Sequence, residues 1–276
     1  MHADHFIDQL RILAALDDSP ATDRTLAAFR AVAREDFAGP GPWKLRSGMA
    51  ALSLPPQVTP DADPKWLYHS VLVVLDEGKG INIGDPSLWV RLLARADVQP
   101  GARILQVGAG VGYYTAILSA LAGPTGRVIA YEVEGALAAR ATQNLTAYDT
   151  VKIRHGNAAT DLTGNDMFDL IVAFAGVTHV PDMWATRLAP GARLLLPLTG
   201  DNGWGAMILA HQTEDGFEAV TLGPCGFYPC AGARRDNLAT DISALFSEHQ
   251  HIRDWRLRII GRGDAARIEA TGPAHR

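Results

Sequence analysis

Ile104-Leu105-Gln106-Val107-Gly108-Ala109-Gly110-Val111-Gly112-Tyr113 decides how the rest of the chain is read. A short apolar run meets three alternating glycines, and a helical pattern follows at once over residues 113–121. Glycine admits positive φ and has no Cβ to hold a ligand away from the backbone. The helix that follows offers N–H groups with no partner inside the helix. A dinucleotide-binding fingerprint leaves two residues between its second and third glycines. Here one residue separates each pair, so the spacing disfavours that class. Further along, Gly126-Arg127-Val128-Ile129-Ala130-Tyr131-Glu132 puts a carboxylate at the end of the next strand, 20 residues after Gly112. A carboxylate there can accept two vicinal hydroxyls, each charge-assisted bond contributing roughly 1.5–3 kcal/mol.

Outward from that stretch, apolar runs at 71–75, 104–107, 128–131, 170–174 and 194–198 alternate with helical patterns at 87–96, 113–121, 135–144 and 182–188. Fully apolar strands with helical crossovers predict an α/β fold with a parallel sheet covered on both faces. After Pro197 the pattern changes. Residues 206–211 and 217–222 flank Glu214-Asp215-Gly216 and predict an antiparallel hairpin. Before the core, Phe6, Ile7, Leu10, Leu13 and Leu16 predict a helix over 4–16, and Thr22 is a candidate cap for a second. A Pro- and Gly-rich connection covers 39–64. The tail holds a short helix near 241–249, a strand-like run at 257–260 and a frayed end from 263.

The 276 residues carry 25 Lys+Arg and 30 Asp+Glu, a net charge of −5, with 47% hydrophobic and 20% charged residues. That length builds one large domain or two small ones and buries a sizeable core. The composition excludes a disordered chain. The negative balance argues against nucleic-acid binding by bulk charge. No run approaches the ~20 apolar residues of a membrane span. Met1 is followed by His2, Asp4 and His5 rather than by a basic segment and an apolar core, so a cytoplasmic protein is expected. The two cysteines, Cys225 and Cys230, make neither a disulfide scaffold nor a four-ligand zinc site by themselves. They read as structural thiols, with a redox pair as the alternative. No His spacing fits a metal, and none is expected.

The glycine loop followed by Glu132 resembles the first motifs of S-adenosylmethionine methyltransferases. More widely, residues 26–200 resemble the protein-L-isoaspartate O-methyltransferase family. The matching blocks are Ala28-Phe29-Arg30-Ala31-Val32-Ala33-Arg34-Glu35-Asp36-Phe37, Pro100-Gly101-Ala102-Arg103, Phe168-Asp169-Leu170-Ile171-Val172, Val180-Pro181, and Leu188-Ala189-Pro190-Gly191 through Pro197. The resemblance implies a Rossmann-like, doubly wound sheet of order 3-2-1-4-5-7-6, the hairpin supplying the last two strands. It divides the chain into a helical cap with connecting loops (1–65), a cofactor-binding core (66–222) and a C-terminal extension (223–276). It implies S-adenosylmethionine as cofactor, held by Gln106, Gly108, Gly110, Gly112, Tyr113, Glu132 and Asn157. Gln106 and Asn157 stand where the family carries acids, and an amide oxygen still accepts a hydrogen bond.

One motif departs further. The family's Thr-Ile-Ser-x-Pro run aligns with Asn82-Ile83-Gly84-Asp85-Pro86. Gly84 removes the serine hydroxyl, Asp85 brings a negative charge that repels an anionic acceptor, and Asn82 keeps hydrogen-bonding ability. Methyl transfer is an in-line displacement in which positioning supplies roughly 7–11 kcal/mol. A carboxylate acceptor needs no base, whereas a phenol, amine or alcohol needs one. His179, just past the fourth core strand, is the candidate base. Asn82, Asp85 and His179 form the expected catalytic set. Trp43, Trp66, Tyr68, Trp89, Trp204 and Tyr228 are candidates to grip an apolar substrate, and Arg234-Arg235 to bind an anion, against ordinary loop packing and a solvated pair. The expected function is O-methylation of a carboxylate or hydroxyl on a peptide or small molecule. The alternatives are a cofactor-binding accessory protein without catalysis and, less favoured, an NAD-dependent oxidoreductase.

Overall fold

The computed structural model describes residues 2–48, 54–248, 254–261 and 266–273. The chain forms two compact units. One comprises Met1–Gly101, Ala109–Arg127 and Glu134–Ile153, and the other Ala102–Gly108, Val128–Val133 and Arg154–Arg276.

Among the described residues the first unit holds six α-helices, a short 3-10 turn (Pro64–Leu67) and a small sheet. Helix α1 (His2–Leu13) buries Phe6, Ile7 and Leu10 along one stripe. Helix α2 (Pro20–Ala31) begins at Ser19, whose hydroxyl accepts the Thr22 N–H at 3.2 Å, with Pro20 in the first turn. The cap is therefore Ser19 and not Thr22, because Pro20 has no N–H to lose and fits only inside the first turn. After the one-turn α3 (Glu35–Ala38) come β1 (Lys44–Arg46), β2 (Gln57–Val58), β3 (Leu72–Asp76) and β4 (Ile81–Ile83). They form an antiparallel sheet in the order β2-β1-β3-β4. The run at 71–75 thus lies outside the parallel sheet expected for it. A tight turn closed by Gly80 N–H on Glu77 O at 3.2 Å returns the chain beside itself, where a parallel strand needs a crossover. Helix α4 (Pro86–Ala96) buries Trp89, Val90, Leu92 and Leu93. Helix α5 (Tyr113–Ala122) is buried almost all round, as its uniformly apolar sequence requires. Helix α6 (Gly135–Asn144) buries Ala138 and Ala141.

Among the described residues nine strands form the larger sheet, on which the second unit is built: β5 (Arg103–Val107), β6 (Arg127–Glu132), β7 (Val151–His155), β8 (Phe168–Ala173), β9 (Leu188–Thr199), β10 (Trp204–Thr213), β11 (Gly216–Gly226), β12 (Trp255–Ile260) and β13 (Arg267–Pro273). Their order is β13-β12-β11-β10-β9-β8-β5-β6-β7. Strands β5, β8 and β9 are parallel, with Leu105 beside Ile171 and Ile171 beside Leu194. From β9 to β13 the sheet is an antiparallel meander. The α/β sheet is as expected, but its far half is not. In core numbering the order runs 3-2-1-4-5-6-7 rather than 3-2-1-4-5-7-6. The β9–β10 turn is closed by Gly200 N–H on Trp204 O at 2.7 Å, and a turn that short joins only neighbours. Where a frayed end was expected from 263, residues 267–273 form β13, with Ile268 paired to Ile259; residues 263–265 and 274–276 lie outside the described residues. The 182–188 helix shrinks to α7 (Asp182–Ala185), because Leu188 already opens β9. Helix α8 (Asp236–Glu248) follows the meander's second hairpin.

Leu105, Val107, Ile129, Tyr131, Ile171, Leu194 and Leu196 lie at the heart of this unit's core. Cys225 and Cys230 are free, buried thiols. Burial pushes both upward in pKa, Cys230 to about 12, which keeps them un-ionised at neutral pH. Among the described residues no helix is long and apolar enough to cross a membrane, and no cluster of His, Cys, Asp or Glu is placed to hold a metal ion. His249, His251 and His275 lie outside the described residues.

Candidate functional site

The second unit carries Gln106, Gly108, Glu132, Asn157 and His179 on the ends of its central strands. Three backbone bonds tie these ends into one rim. Gly108 N–H donates to Tyr131 O at 2.9 Å, Gly156 N–H to Glu132 O at 3.0 Å, and Phe174 N–H to Val107 O at 2.8 Å. The rim therefore runs from Asn157 through Glu132 and Gly108 to the loop after β8, at the carboxyl ends where open α/β sheets hold ligands.

Gln106 is wholly buried. Its Nε2 donates to Gly108 O at 3.1 Å, and its Oε1 is buried with no hydrogen-bond partner among the described residues. Leaving a buried acceptor unmade costs about 1–3 kcal/mol, so the rim offers a site for a donor. Glu132 closes β6 and is 6% exposed. Asn157 folds its own turn, Oδ1 accepting the Ala159 N–H at 2.9 Å and leaving one lone pair. Gly232 lets it do so, because a Cβ there would stand 3.0 Å from Asn157 Nδ2.

His179 is buried, with Nδ1 3.2 Å from Thr178 Oγ1, which in turn accepts the Arg235 N–H at 3.0 Å. Burial, helped by the Arg235 guanidinium, lowers its pKa to about 4. The ring is therefore neutral at pH 7 and a poor proton acceptor. The Arg234 expected to face solvent is a clamp. Its guanidinium donates to Thr199 O and Thr199 Oγ1 at 2.8 Å and to Gly200 O at 2.6 Å. The loop after β8 is pinned as well: Gly176 N–H reaches Tyr228 O at 2.6 Å and Thr178 N–H reaches Ala233 O at 3.0 Å.

The first unit carries Gly110, Gly112, Tyr113, Asn82 and Asp85. All three glycines of the turn have positive φ, +87° at 108, +57° at 110 and +96° at 112. Two are demanded by packing: a Cβ would sit 3.3 Å from Phe174 Cβ at 108 and 2.6 Å from Leu145 Cδ1 at 112. At Gly110 an added Cβ would meet nothing within 4 Å among the described residues, so the space on that side of its Cα is open. Asn144 Nδ2 fixes the turn by donating to Val111 O at 2.9 Å. Tyr113 opens α5 but sends its side chain into the unit's core, 5.8 Å from the Phe37 ring. Its buried hydroxyl has no partner among the described residues, and burial raises its pKa to about 12. What Tyr113 leaves for a ligand is its backbone N–H.

Around the divergent motif, Asn82 on β4 donates to Gly80 O at 3.1 Å. Asp85 caps α4: its Oδ1 accepts the Ser87 N–H and Oγ–H, both at 2.8 Å, and the Ser70 hydroxyl. Gly84 O accepts the Tyr114 hydroxyl at 2.8 Å. A Cβ on Gly84 would stand 2.7 Å from Trp89 Nε1. Two further residues shape this region: Trp89, one of the aromatics considered for gripping a substrate and in fact buried, and Arg34, which the sequence did not single out. Trp89 occupies the space a side chain at 84 would need. Arg34 is fully buried and donates to Leu67 O and Val71 O at 2.7 Å and His69 O at 3.1 Å, fastening the segment ahead of β3. The only sequence signal for Arg34 is its place in the 28–37 block.

A family model for protein-L-isoaspartate(D-aspartate) O-methyltransferase matches residues 65–235. A Methanopyrus kandleri protein-L-isoaspartate O-methyltransferase is 35% identical over 159 residues, covering 56% of this chain and 70% of the relative. A solved protein-L-isoaspartate O-methyltransferase superposes with a TM-score of 0.67 at 19% identity, over 84% of this chain and 66% of the solved one. A Plasmodium falciparum protein, described as a beta-aspartate methyltransferase and solved with S-adenosyl-L-homocysteine, gives 0.61 at 20% identity over 84% and 98%. The two superpositions support the Rossmann-like fold, and the family match covers both the glycine turn and the rim residues. This chain belongs to the protein-L-isoaspartate(D-aspartate) O-methyltransferase family.

Proposed function

We propose that this methyltransferase binds S-adenosylmethionine through the glycine turn and the rim, and transfers its methyl group to a carboxylate oxygen. The observation that carries the reading is the turn itself: three left-handed glycines, one facing open space, directly after a buried glutamine with an unmet acceptor. The residues fit the cofactor's chemistry. Gln106 Oε1 suits its ammonium group, Glu132 its ribose hydroxyls, Asn157 Oδ1 its adenine amine, and the backbone of Gly108, Gly110, Gly112 and Tyr113 its close approach. When bound, the cofactor supplies an electrophilic methyl group on a sulfonium.

The chain's own part is to bind, orient and exclude water. His179 bears on the acceptor's identity. With burial drawing its pKa down to about 4 it is a weak base toward a hydroxyl or amine at pH 7. A carboxylate needs no base, which supports it over the hydroxyl that the sequence left open. His179 offers the acceptor a neutral polar group in the second unit and Asn82 one in the first, while Asp85 holds the start of α4. The family name points to the acid of an isoaspartyl residue in a peptide as the first acceptor to try.

The test is calorimetric titration with S-adenosylmethionine, followed by transfer of labelled methyl to an isoaspartyl peptide and to its isoasparaginyl counterpart. Base-labile label in the first and none in the second is expected. Tight cofactor binding with no product from any carboxylate favours the accessory-protein reading instead.

A further inference from the structure

The first unit contains a recess of about 330 Å³ that owes nothing to the glycine turn. Pro40, Pro42, Trp43, Val74 and Leu75 line it, together with Arg140 from α6. Arg140 Nη2 donates to Phe37 O at 2.8 Å, and among the described residues no carboxylate pairs with the guanidinium. The neighbouring cation, Lys44, is already engaged, its Nζ 2.7 Å from Glu77 Oε2. Gly39 makes the arrangement possible. It has a φ of +76°, and a Cβ on it would stand 2.6 Å from Arg140 Nη2. The guanidinium therefore lies against bare backbone. Burial also draws the Arg140 pKa below its ordinary value, as for a cation partly stripped of water with no acid in exchange.

A half-buried arginine facing a cavity gains from an anion that can take two of its N–H groups at once. Apart from Lys44, the side chains beside it are proline, tryptophan and aliphatic, which suit an apolar group. The volume lies at the small end of ligand sites, about the size of a single residue with its carboxylate. We propose that this recess binds the C-terminal carboxylate of a peptide ending in an apolar residue. Arg140 takes the carboxylate, and Pro40, Trp43 and Val74 take the side chain. The site is separate from the methyl-transfer chemistry, so its failure leaves that reading intact.

The experiment is fluorescence anisotropy of the full chain with N-terminally labelled Gly-Ala-Ala-Leu as the free acid and as the C-terminal amide, without cofactor. Saturable binding of the acid at least tenfold tighter than the amide is expected, lost in Arg140→Gln and retained in part in Arg140→Lys. Val74→Phe, which fills the recess and keeps the arginine, is expected to lose the acid too and serves if Arg140→Gln does not fold. Equal binding of acid and amide, full affinity in Val74→Phe, or displacement by millimolar inorganic phosphate as effective as by unlabelled peptide would each overturn the proposal.

Discussion

Restoring the family's serine at position 84 is expected to destabilise the protein. The Cβ of Gly84→Ser would stand 2.7 Å from Trp89 Nε1, 3.0 Å from Trp89 Cδ1 and 3.4 Å from Tyr114 Cε2. None of these groups yields easily. Trp89 is 1% exposed, its ring centroid lies 5.5 Å from that of Tyr114, and the Tyr114 hydroxyl is bonded to the carbonyl of Gly84 itself. Overpacking of this kind costs about 1–3 kcal/mol. The rigid aromatic pair puts the expected loss in the upper half, about 2–3 kcal/mol. At roughly 2–4 °C per kcal/mol for a chain of this size, the melting temperature falls by about 4–12 °C in a calorimetric scan. A second substitution isolates the cause. Trp89→Phe removes the indole nitrogen from the contact, so Gly84→Ser made in that background loses about 1 kcal/mol less, a coupling read from the double-mutant cycle. A Gly84→Ser protein that melts within about 1 °C of the parent, or a cycle without coupling, refutes the argument that Trp89 excludes a side chain at 84.

Arg34→Met leaves the carbonyls of Leu67, His69 and Val71 without their buried donor, and is expected to lower unfolding stability by about 3–5 kcal/mol in a urea titration. Glu132→Ala is expected to weaken S-adenosylmethionine binding at least tenfold by calorimetry, and unchanged affinity would remove the ribose assignment. His179 links stability to pH. Its folded pKa of about 4 lies below the unfolded 6.5, so between those values the unfolded chain holds a proton the folded chain does not. Its contribution is complete above pH 6.5 and is lost as the pH falls toward 4, by up to about 3 kcal/mol. His179→Gln should flatten the pH dependence of the urea midpoint in that window, and an unaltered slope would show that other groups carry it.

What could be read in advance depended on whether a residue's partner lay nearby in the chain. The central strands were legible because Ile104, Leu105, Ile171 and Leu194 sit in fully apolar runs, the mark of a strand covered on both faces. The edge strand β7 was not, because Val151-Lys152-Ile153-Arg154-His155 leaves Lys152, Arg154 and His155 exposed. The order of the last strands was misread because an apolar run does not record which neighbour it pairs with, and the turn at 200–203 does. The glycine turn announced itself, since no other residue serves at a φ of +87° or +96°. Arg34 and Arg234 did not. Apart from the Thr199 hydroxyl on Arg234, their partners are backbone carbonyls, 33 to 50 residues away for Arg34 and 34 to 58 away for Arg234, and a carbonyl leaves no trace in sequence.

The divergent motif shows how the two kinds of information combine. In sequence, Gly84 and Asp85 are two independent departures, a lost hydroxyl and an added charge. In the structure both are tied to the start of the same helix. Asp85 caps α4 with three donors on one oxygen, so much of its charge is balanced by Ser70, Ser87 and the positive end of the helix. Helix α4 carries Trp89, and Trp89 fills the space that a side chain at 84 would claim. A carboxylate acceptor therefore does not meet a bare Asp85, and the repulsion inferred from sequence is weaker than the residue type implies. Replacing Asp85 by serine should loosen α4 by about 1 kcal/mol at most, because serine still caps. If isoaspartyl turnover rose more than tenfold in that variant while its melting temperature held, the charge and not the cap would be the reason this position differs.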